Sequence, residues 1–489
     1  MSDPLFIGLD LGSSGVKGVA LAAERGIVAS ASRPVDLRSP RPGWAEADPE
    51  QWWAACLDIL EELGRDAEVG AVAVSGMVPA VVLVDGAGRA LRPAILQNDA
   101  RAVEEIDELR SRLAEVDLLH LTGSSLTQQS VAPTILWLAR HEPEVIENAA
   151  WVMGSYDWIA LRLGARPHLE ENWALESGLF DLTHRPLEVV HGALDCRWPA
   201  LPEVVRPGTV IGELREDLAT SWGWPSPVAL VVGGADHVLS AFGAGLTSPG
   251  DVLVKLGGAG DILAVSDEPL FDERLYLDAH PREGRWLPNG CMATTGSLLG
   301  WERDLFGLGD FSSLEQDAAQ ARPGSLLALP YFLGEKTPLH DPDLRGALVG
   351  LTLSTTRGDI HRAFLEAIAY AFRAHLDVLT HHGVSPSSIR VTNGGSRSRL
   401  WREILADVLG VALHSIVDHP GASFGAAVLA AHAVGAIPSL DYVRDHLEVG
   451  EMIEPRPQYR DLYDERYRHF HEWGAATTAV SHALARSQR

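Results

Sequence analysis

Cysteine is scarce in this chain. There are three in 489 residues, Cys56, Cys196 and Cys291, and they lie far apart. Their spacing fits neither a disulfide framework nor a zinc-ligand pattern, and it suits a reducing compartment. Basic residues are also few: 40 Lys and Arg stand against 66 Asp and Glu, a formal net charge of −26. Such a chain has no general basic face for nucleic acid. No uncharged apolar run reaches the ~18 residues of a membrane span. Residues 1–9 lack the basic region and cleavage site of a secretory signal. These absences predict a cytoplasmic protein with neither nucleic acid nor membrane as a partner. The Walker A spacing is missing too. Any phosphate would therefore be held by backbone amides, helix N-termini or a metal ion, which can bind phosphate within an acidic protein.

What is present is ample core material. Hydrophobic residues make up 46% of the chain, enough for two large domains. "LFIGLDLG" and "VKGVALAA" read as a hairpin, "GIVASASRPV" as a third strand, and 70–76 and 80–91 as further strands. "DPEQWWAACLDILEELG" reads as a helix capped by Asp48, opened by Pro49 and stopped at Gly64. Residues 100–220 read as a mostly helical insertion. Farther on, 357–383 and 458–474 carry apolar and aromatic residues at helical spacing, which marks packing faces.

Two internal similarities set the expected organisation. "LDLGSSGVKGVALA" (9–22) matches "VKLGGAGDILAVS" (254–266), each an apolar strand, Leu-Gly-x-x-Gly and a second strand. "VALVVGGADHVLSAFGAG" (228–245) has the same order as "SIRVTNGGSRSRLWREILADVLG" (388–410): strand, Gly-Gly turn, helix. The expectation is two related α/β domains, 1–245 and 246–489, with a ligand cleft between them.

The chemistry concentrates at these turns. In the first hairpin Asp10 ends a strand, and Gly12, Ser13, Ser14, Gly15 and Lys17 follow. Glycine amides approach phosphate oxygens without Cβ clashes, and the serines and the lysine add donors and charge. A carboxylate beside phosphate is repulsive unless a divalent cation lies between them, so Asp10 is the candidate Mg²⁺ contact. Gly257, Gly258, Ala259 and Gly260 form a second phosphate grip. Asp236 stands past an apolar strand at the start of a helix, where the dipole favours a carboxylate. It is the candidate base for phosphoryl transfer to an alcohol, a reaction that needs positioning, charge neutralisation and a proton acceptor. Gly394, Gly395 and Ser396 lie between a strand and a helix, an arrangement suited to a nucleoside.

These blocks occur in the order found in FGGY-type carbohydrate kinases. "LDLGSSGVKGV", "GGADHVLSAFGAG", "LPYFLGEKTPLHDPDLRGALVGL", "IRVTNGGSRSRLWREILADVLG" and "GASFGAAVLAA" carry the resemblance, joined by "GWAEADPEQWW" and "LRPAILQNDAR". It covers nearly the whole chain and is strongest with the xylulokinase branch. The resemblance implies two actin-like (ribonuclease H-like) α/β domains with mixed sheets flanked by helices, and ATP and Mg²⁺ in the cleft. It implies that Asp10 serves the first phosphate loop and the metal, and that Asp236 is the catalytic base. Gly257 to Gly260 match the second phosphate loop, and Gly394, Gly395 and Ser396 match the adenosine motif. The sugar is expected near Met77, Gln97, Asn98, Asp99 and Gln129, with its reacting hydroxyl at Asp236.

The chain also departs from the family pattern. Met77-Val78-Pro79 stands where xylulokinases usually have Met-His-Gly, and Gly257-Gly258-Ala259 where they have Gly-Thr-Ser. Gln97 replaces a common Trp, and Gln129 stands where glycerol kinases carry an aromatic residue. Two amides in place of two rings point to a substrate richer in hydroxyls than glycerol. The expected activity is ATP-dependent phosphorylation of a ketopentose such as xylulose, or of another ketose, pentitol or sugar acid. A nucleotide-gated scaffold of the same fold, without sugar turnover, is the alternative from another class. The aromatic C-terminal helix can pack within the chain or against a twin, which leaves room for a homodimer.

Overall fold

The computed structural model describes residues 3–224 and 227–487. The chain folds into two compact units. The first takes residues up to 247 together with 277–286 and 420–446, and the second takes 248–276, 287–419 and the remainder from 447. A boundary near residue 245 thus marks only the first crossing of the chain. The helix Gly421–Ala433 explains one return to the first unit. Ala422 to Ala431 are buried without a break, so the helix has no polar face to turn to water and must be enclosed. It packs on the strands Leu5–Leu11, Val69–Gly76 and Ala229–Ala235 and on the helix Asp236–Gly243. At Gly8 a Cβ would lie 2.5 Å from the Ala427 amide nitrogen and closer still to the Ser423 carbonyl. Only glycine lets this helix touch the sheet backbone to backbone.

The sheet of the first unit has six strands. They run Val210–Glu213, Ala229–Ala235, Val69–Gly76, Leu5–Leu11, Gly15–Ala22 and Gly26–Pro34. The second, third and fourth of these are parallel to one another. They are nearly continuous apolar runs, as strands covered on both faces require. Beside them, the helix Pro49–Leu63 begins where expected: Asp48 accepts from the Glu50 amide at 3.1 Å, and the Gly64 amide donates to Leu60 O. The stretch 80–91 is not one long strand. Only Val82–Val84 forms a strand, because Asp85 Oδ1 collects the Ala87 and Arg89 amides and turns the chain. Residues 100–220 are mainly short helices with brief strands, as expected.

In the second unit the central strand order is Trp286–Met292, Gly260–Ala264, Val252–Leu256, Ser388–Thr392, Ala412–Ile416, Val449–Ile453. Read from the opposite end, this is the strand order of the first sheet. The two Gly-rich hairpins correspond, as the first similarity predicts. The second similarity is displaced by one strand. Ser388–Thr392 occupies the place of Val69–Gly76, and Ala412–Ile416 with the helix Gly421–Ala433 answers Ala229–Ala235 with Asp236–Gly243. A Gly-Gly turn before a helix serves both positions, so local pattern alone confuses them.

The helix Arg357–His381 opens with a capping box between Thr356 and Asp359. The C-terminal helix runs Arg460–Ser487, past Gly474, and buries Tyr463 and Phe470. The Tyr463 hydroxyl donates to Glu366 at 3.0 Å, so this aromatic stripe is a packing face within the second unit. Among the described residues no helix is long and apolar enough to cross a membrane.

Candidate active site

Three parallel strands of the first unit end together. Across the ladder Asp10 is opposite Ser75, and Ser75 is opposite Gly234. With neighbouring strands ~4.8 Å apart, the backbones of Asp10 and Gly234 lie about 10 Å apart. Asp236 starts the helix two residues beyond Gly234. Both acids therefore occupy the carboxyl-end edge of one sheet, where open α/β sheets bind ligands. Met77 closes the strand between them and is buried. Its amide donates to Leu11 O at 3.2 Å.

The first hairpin presents its donors outward. Gly12 N donates to Gly15 O at 3.0 Å, which closes the turn, and Ser13 and Ser14 are exposed at its tip. Lys17 is directly opposite Asp10 across the antiparallel ladder, so the two side chains share a face.

Asp236 is half-exposed. Its Oδ1 accepts the His237 amide at 2.6 Å. The His237 imidazole reaches the other way, Nε2 lying 2.7 Å from Asp278 Oδ2, and Asp278 is buried. Burial alone would lower the His237 pKa. The charge of Asp278 and hydrogen bonds to Asp236 and Asp278 outweigh it and hold the pKa well above its usual value. Glu176 stands beside them, its pKa pushed well up by burial and by the charge of Asp278. One donor atom each from Glu176, His237 and Asp278 lie within 4.8 Å of one another. The sequence reading missed Asp278 and Glu176. They sit about 40 residues after and 60 before His237, and no local motif ties them to it.

The expected sugar residues divide into two groups. Gln97 is half-buried, and its Oε1 is buried with no hydrogen-bond partner among the described residues. Asn98 is exposed and Gln129 half-buried. Asp99 differs: it is buried, grips Arg101 with both oxygens at 2.8 and 2.7 Å, and accepts the Ala45 amide at 2.6 Å. Its carboxylate is committed to holding the loop. Arg101 also meets Glu46 at 2.8 Å and stacks on Trp44.

In the second unit a cavity of about 620 Å³ brings two of the predicted motifs together, with Gly257 and Gly258 on one wall and Gly394 and Gly395 on another. The hairpin is anchored through its carbonyls. Gly257 O accepts from Gly296 N, and Gly258 O from Thr295 N and Ser297 N. The Thr295 and Ser297 hydroxyls add further bonds to these carbonyls. Among the described residues the Gly258 and Ala259 amides make no such bond; Gly260 is buried in the following strand. Ser396 is turned inward, its hydroxyl donating to Asn393 O at 2.7 Å, so it shapes the turn and Ser398 takes its place on the wall. Trp401 and His361 also line the cavity. His361 Nδ1 is 2.6 Å from the buried Glu302.

Two family models match the chain: the N-terminal domain of the FGGY family of carbohydrate kinases over residues 5–243, and the C-terminal domain over 255–434. The chain belongs to the FGGY family of carbohydrate kinases. Xylulose kinase of Escherichia coli K12 is 31% identical over 475 residues, covering 95% of this chain and 98% of that one. The crystal structure of xylulose kinase from Rhodospirillum rubrum matches with a TM-score of 0.92 at 41% identity, covering 98% of this chain and 100% of that one. Gluconokinase of Bacillus subtilis strain 168 is 25% identical over 461 residues, 90% of each chain. This FGGY kinase is accordingly a sugar phosphotransferase with the two-domain, actin-like fold of its family. The family implies ATP as the phosphoryl donor.

Proposed function

We propose that this FGGY kinase transfers the terminal phosphate of ATP to a hydroxyl of a ketopentose such as xylulose, with Asp236 as the base. The observation that carries the reading is the shared strand-end edge, with Asp10 and Asp236 closing parallel strands two apart and Met77 on the strand between. The substrate class follows the names of the E. coli and R. rubrum relatives. Gln97, Asn98 and Gln129 suit it, since amides pair with sugar hydroxyls and penalise ligands that leave them unpaired.

In this account the alcohol oxygen forms a new bond to the γ-phosphorus as the bond to the β,γ-bridging oxygen breaks. The electron pair leaves with ADP, and Asp236 takes the alcohol proton. In the first unit the Ser13 and Ser14 amides at the hairpin tip suit phosphate oxygens, and in the second unit the Gly258 and Ala259 amides do. The Gly394–Gly395 wall and Trp401 receive the nucleoside. Asp10 with the Ser13 and Ser14 hydroxyls offers only oxygen donors, which fits magnesium. A magnesium ion held there would neutralise charge on the phosphates.

A sugar acid is the second reading, favoured by the gluconokinase relative. Against it, Arg101, three residues past Asn98, is neutralised by Asp99 and Glu46 and offers no net charge to a carboxylate. The test is ADP release with xylulose, ribulose, xylitol, gluconate and glycerol. The expected result is the highest kcat/KM with a ketopentose. A preference for gluconate would overturn the substrate, and a sugar-independent rate would favour the scaffold.

A further inference from the structure

The strand-end site contains an imidazole that the transfer chemistry above does not use. His237 follows Asp236 at the start of the helix Asp236–Gly243 and makes contacts at three points. Its amide donates to Asp236 Oδ1 at 2.6 Å. Its Nδ1 lies 3.6 Å from that same oxygen. Its Nε2 is 2.7 Å from Oδ2 of Asp278, a residue only 1% exposed. Both contacts to Asp236 fall on Oδ1. Oδ2 carries no hydrogen bond among the described residues, and Asp236 is 37% exposed through its side chain.

We propose that His237, clamped by Asp278, is a positioning residue for the base: it occupies Oδ1 of Asp236 and leaves Oδ2 as the oxygen that takes the alcohol proton. The inference rests on the assignment of Asp236 as base. The Asp278–His237–Asp236 chain puts the ring between two carboxylates, with Nε2 hydrogen-bonded to Asp278 and Nδ1 in a longer ion-pair contact of 3.6 Å with Asp236. The buried Asp278 cannot turn to water, so the ring is fixed through Nε2 and its Nδ1 edge is fixed toward Asp236.

The charged groups facing the ring are all acids: Asp236 on its own helix, Asp278 on the segment 277–286, and Glu176 at the end of the helix Glu171–Glu176. Glu176 keeps its proton more firmly than an ordinary carboxyl, since burial and Asp278 both disfavour its anion. Asp278 and Asp236 are thus the two negative partners of one imidazolium.

The test is kcat and KM for sugar phosphorylation, read separately, in Asp278→Asn and His237→Gln. His237→Gln keeps the backbone amide on Oδ1 and removes the ring. Each variant is expected to lower kcat about tenfold with the KM for the sugar unchanged, and the double variant no further than either single one. A merely structural role would lower stability and shift KM together with kcat, and an unchanged kcat in folded variants overturns the proposal. Should Asp278→Asn not fold, imidazole ¹⁵N shifts of the unaltered protein, assigned with His237→Gln, give an independent reading. Both ring nitrogens of His237 are expected to stay protonated at pH 7.5, and a neutral ring there overturns the proposal. Failure of the base assignment reads separately, as wild-type turnover in Asp236→Asn.

Discussion

Replacing Gly395 by alanine probes whether the cavity of the second unit holds the nucleotide. A Cβ at this position would lie 2.7 Å from Leu256 Cβ, and it would press still harder on the Trp401 ring. Apolar carbons settle at ~3.5–4.0 Å, so the methyl group is about 1 Å too close. Neither neighbour can yield: Leu256 is 1% exposed and Trp401 2%. The Gly394–Gly395 turn must therefore shift toward the cavity by about that distance, at a cost of ~1–3 kcal/mol for overpacking. Gly258 is the control. It lines the same cavity, but a Cβ there meets nothing within 4 Å. Calorimetric titration with ADP is expected to weaken by at least about tenfold in Gly395→Ala, equivalent to ~1.4 kcal/mol, with a lower urea midpoint. Gly258→Ala should keep its urea midpoint. Unchanged ADP affinity and unchanged stability in Gly395→Ala would refute the placement of the nucleoside.

Gly8→Ala should lower the urea midpoint of the first unit by the equivalent of about 3 kcal/mol, because its methyl group meets the backbone of the helix Gly421–Ala433. Arg101→Ala leaves the buried Asp99 without its cation, while Glu46 keeps Arg92 at 2.6 Å, and should cost ~3–5 kcal/mol in the same assay. Glu170 lies beneath the strand end, buried and bonded by the Tyr156 hydroxyl at 2.9 Å. Burial pushes its pKa up to about 7 from an ordinary 4.5. Folded protein thus keeps a proton that the unfolded chain releases above about pH 4.5. The stability from the neutral carboxyl is complete below that value and is lost as the pH rises through 7. Urea midpoints measured from pH 4.5 to 7.5 should fall for the unaltered protein and fall less in Glu170→Gln.

Much of this was legible in the residues. Asp48-Pro49 announced the helix Pro49–Leu63, because cap and first-turn chemistry are local. Asp10 and Asp236 could be placed at strand ends because an apolar run that stops at an acid beside glycines leaves few other geometries. The equivalence of the two hairpins was visible for the same reason. Other features were not legible. The Gly-Gly-helix pattern was assigned to the wrong strand, since two positions in each sheet tolerate it. The hold of Asp99 on Arg101 and the Ala45 amide, and the bond of Ser396 to Asn393 O, carry no mark in the sequence. The Asp278–His237 pair joins a helix start to a segment that returns to the first unit after the excursion over 248–276, and nothing in either stretch announces the other.

The role given to Asp236 is tested most directly by Asp236→Asn. The amide oxygen can still accept from the His237 backbone, and the side chain is half-exposed, so folding and ADP binding should persist. Without a proton acceptor, ketopentose-dependent ADP release is expected to fall by a factor on the order of 10² or more. Turnover at the wild-type rate, with ADP binding intact, would contradict the account.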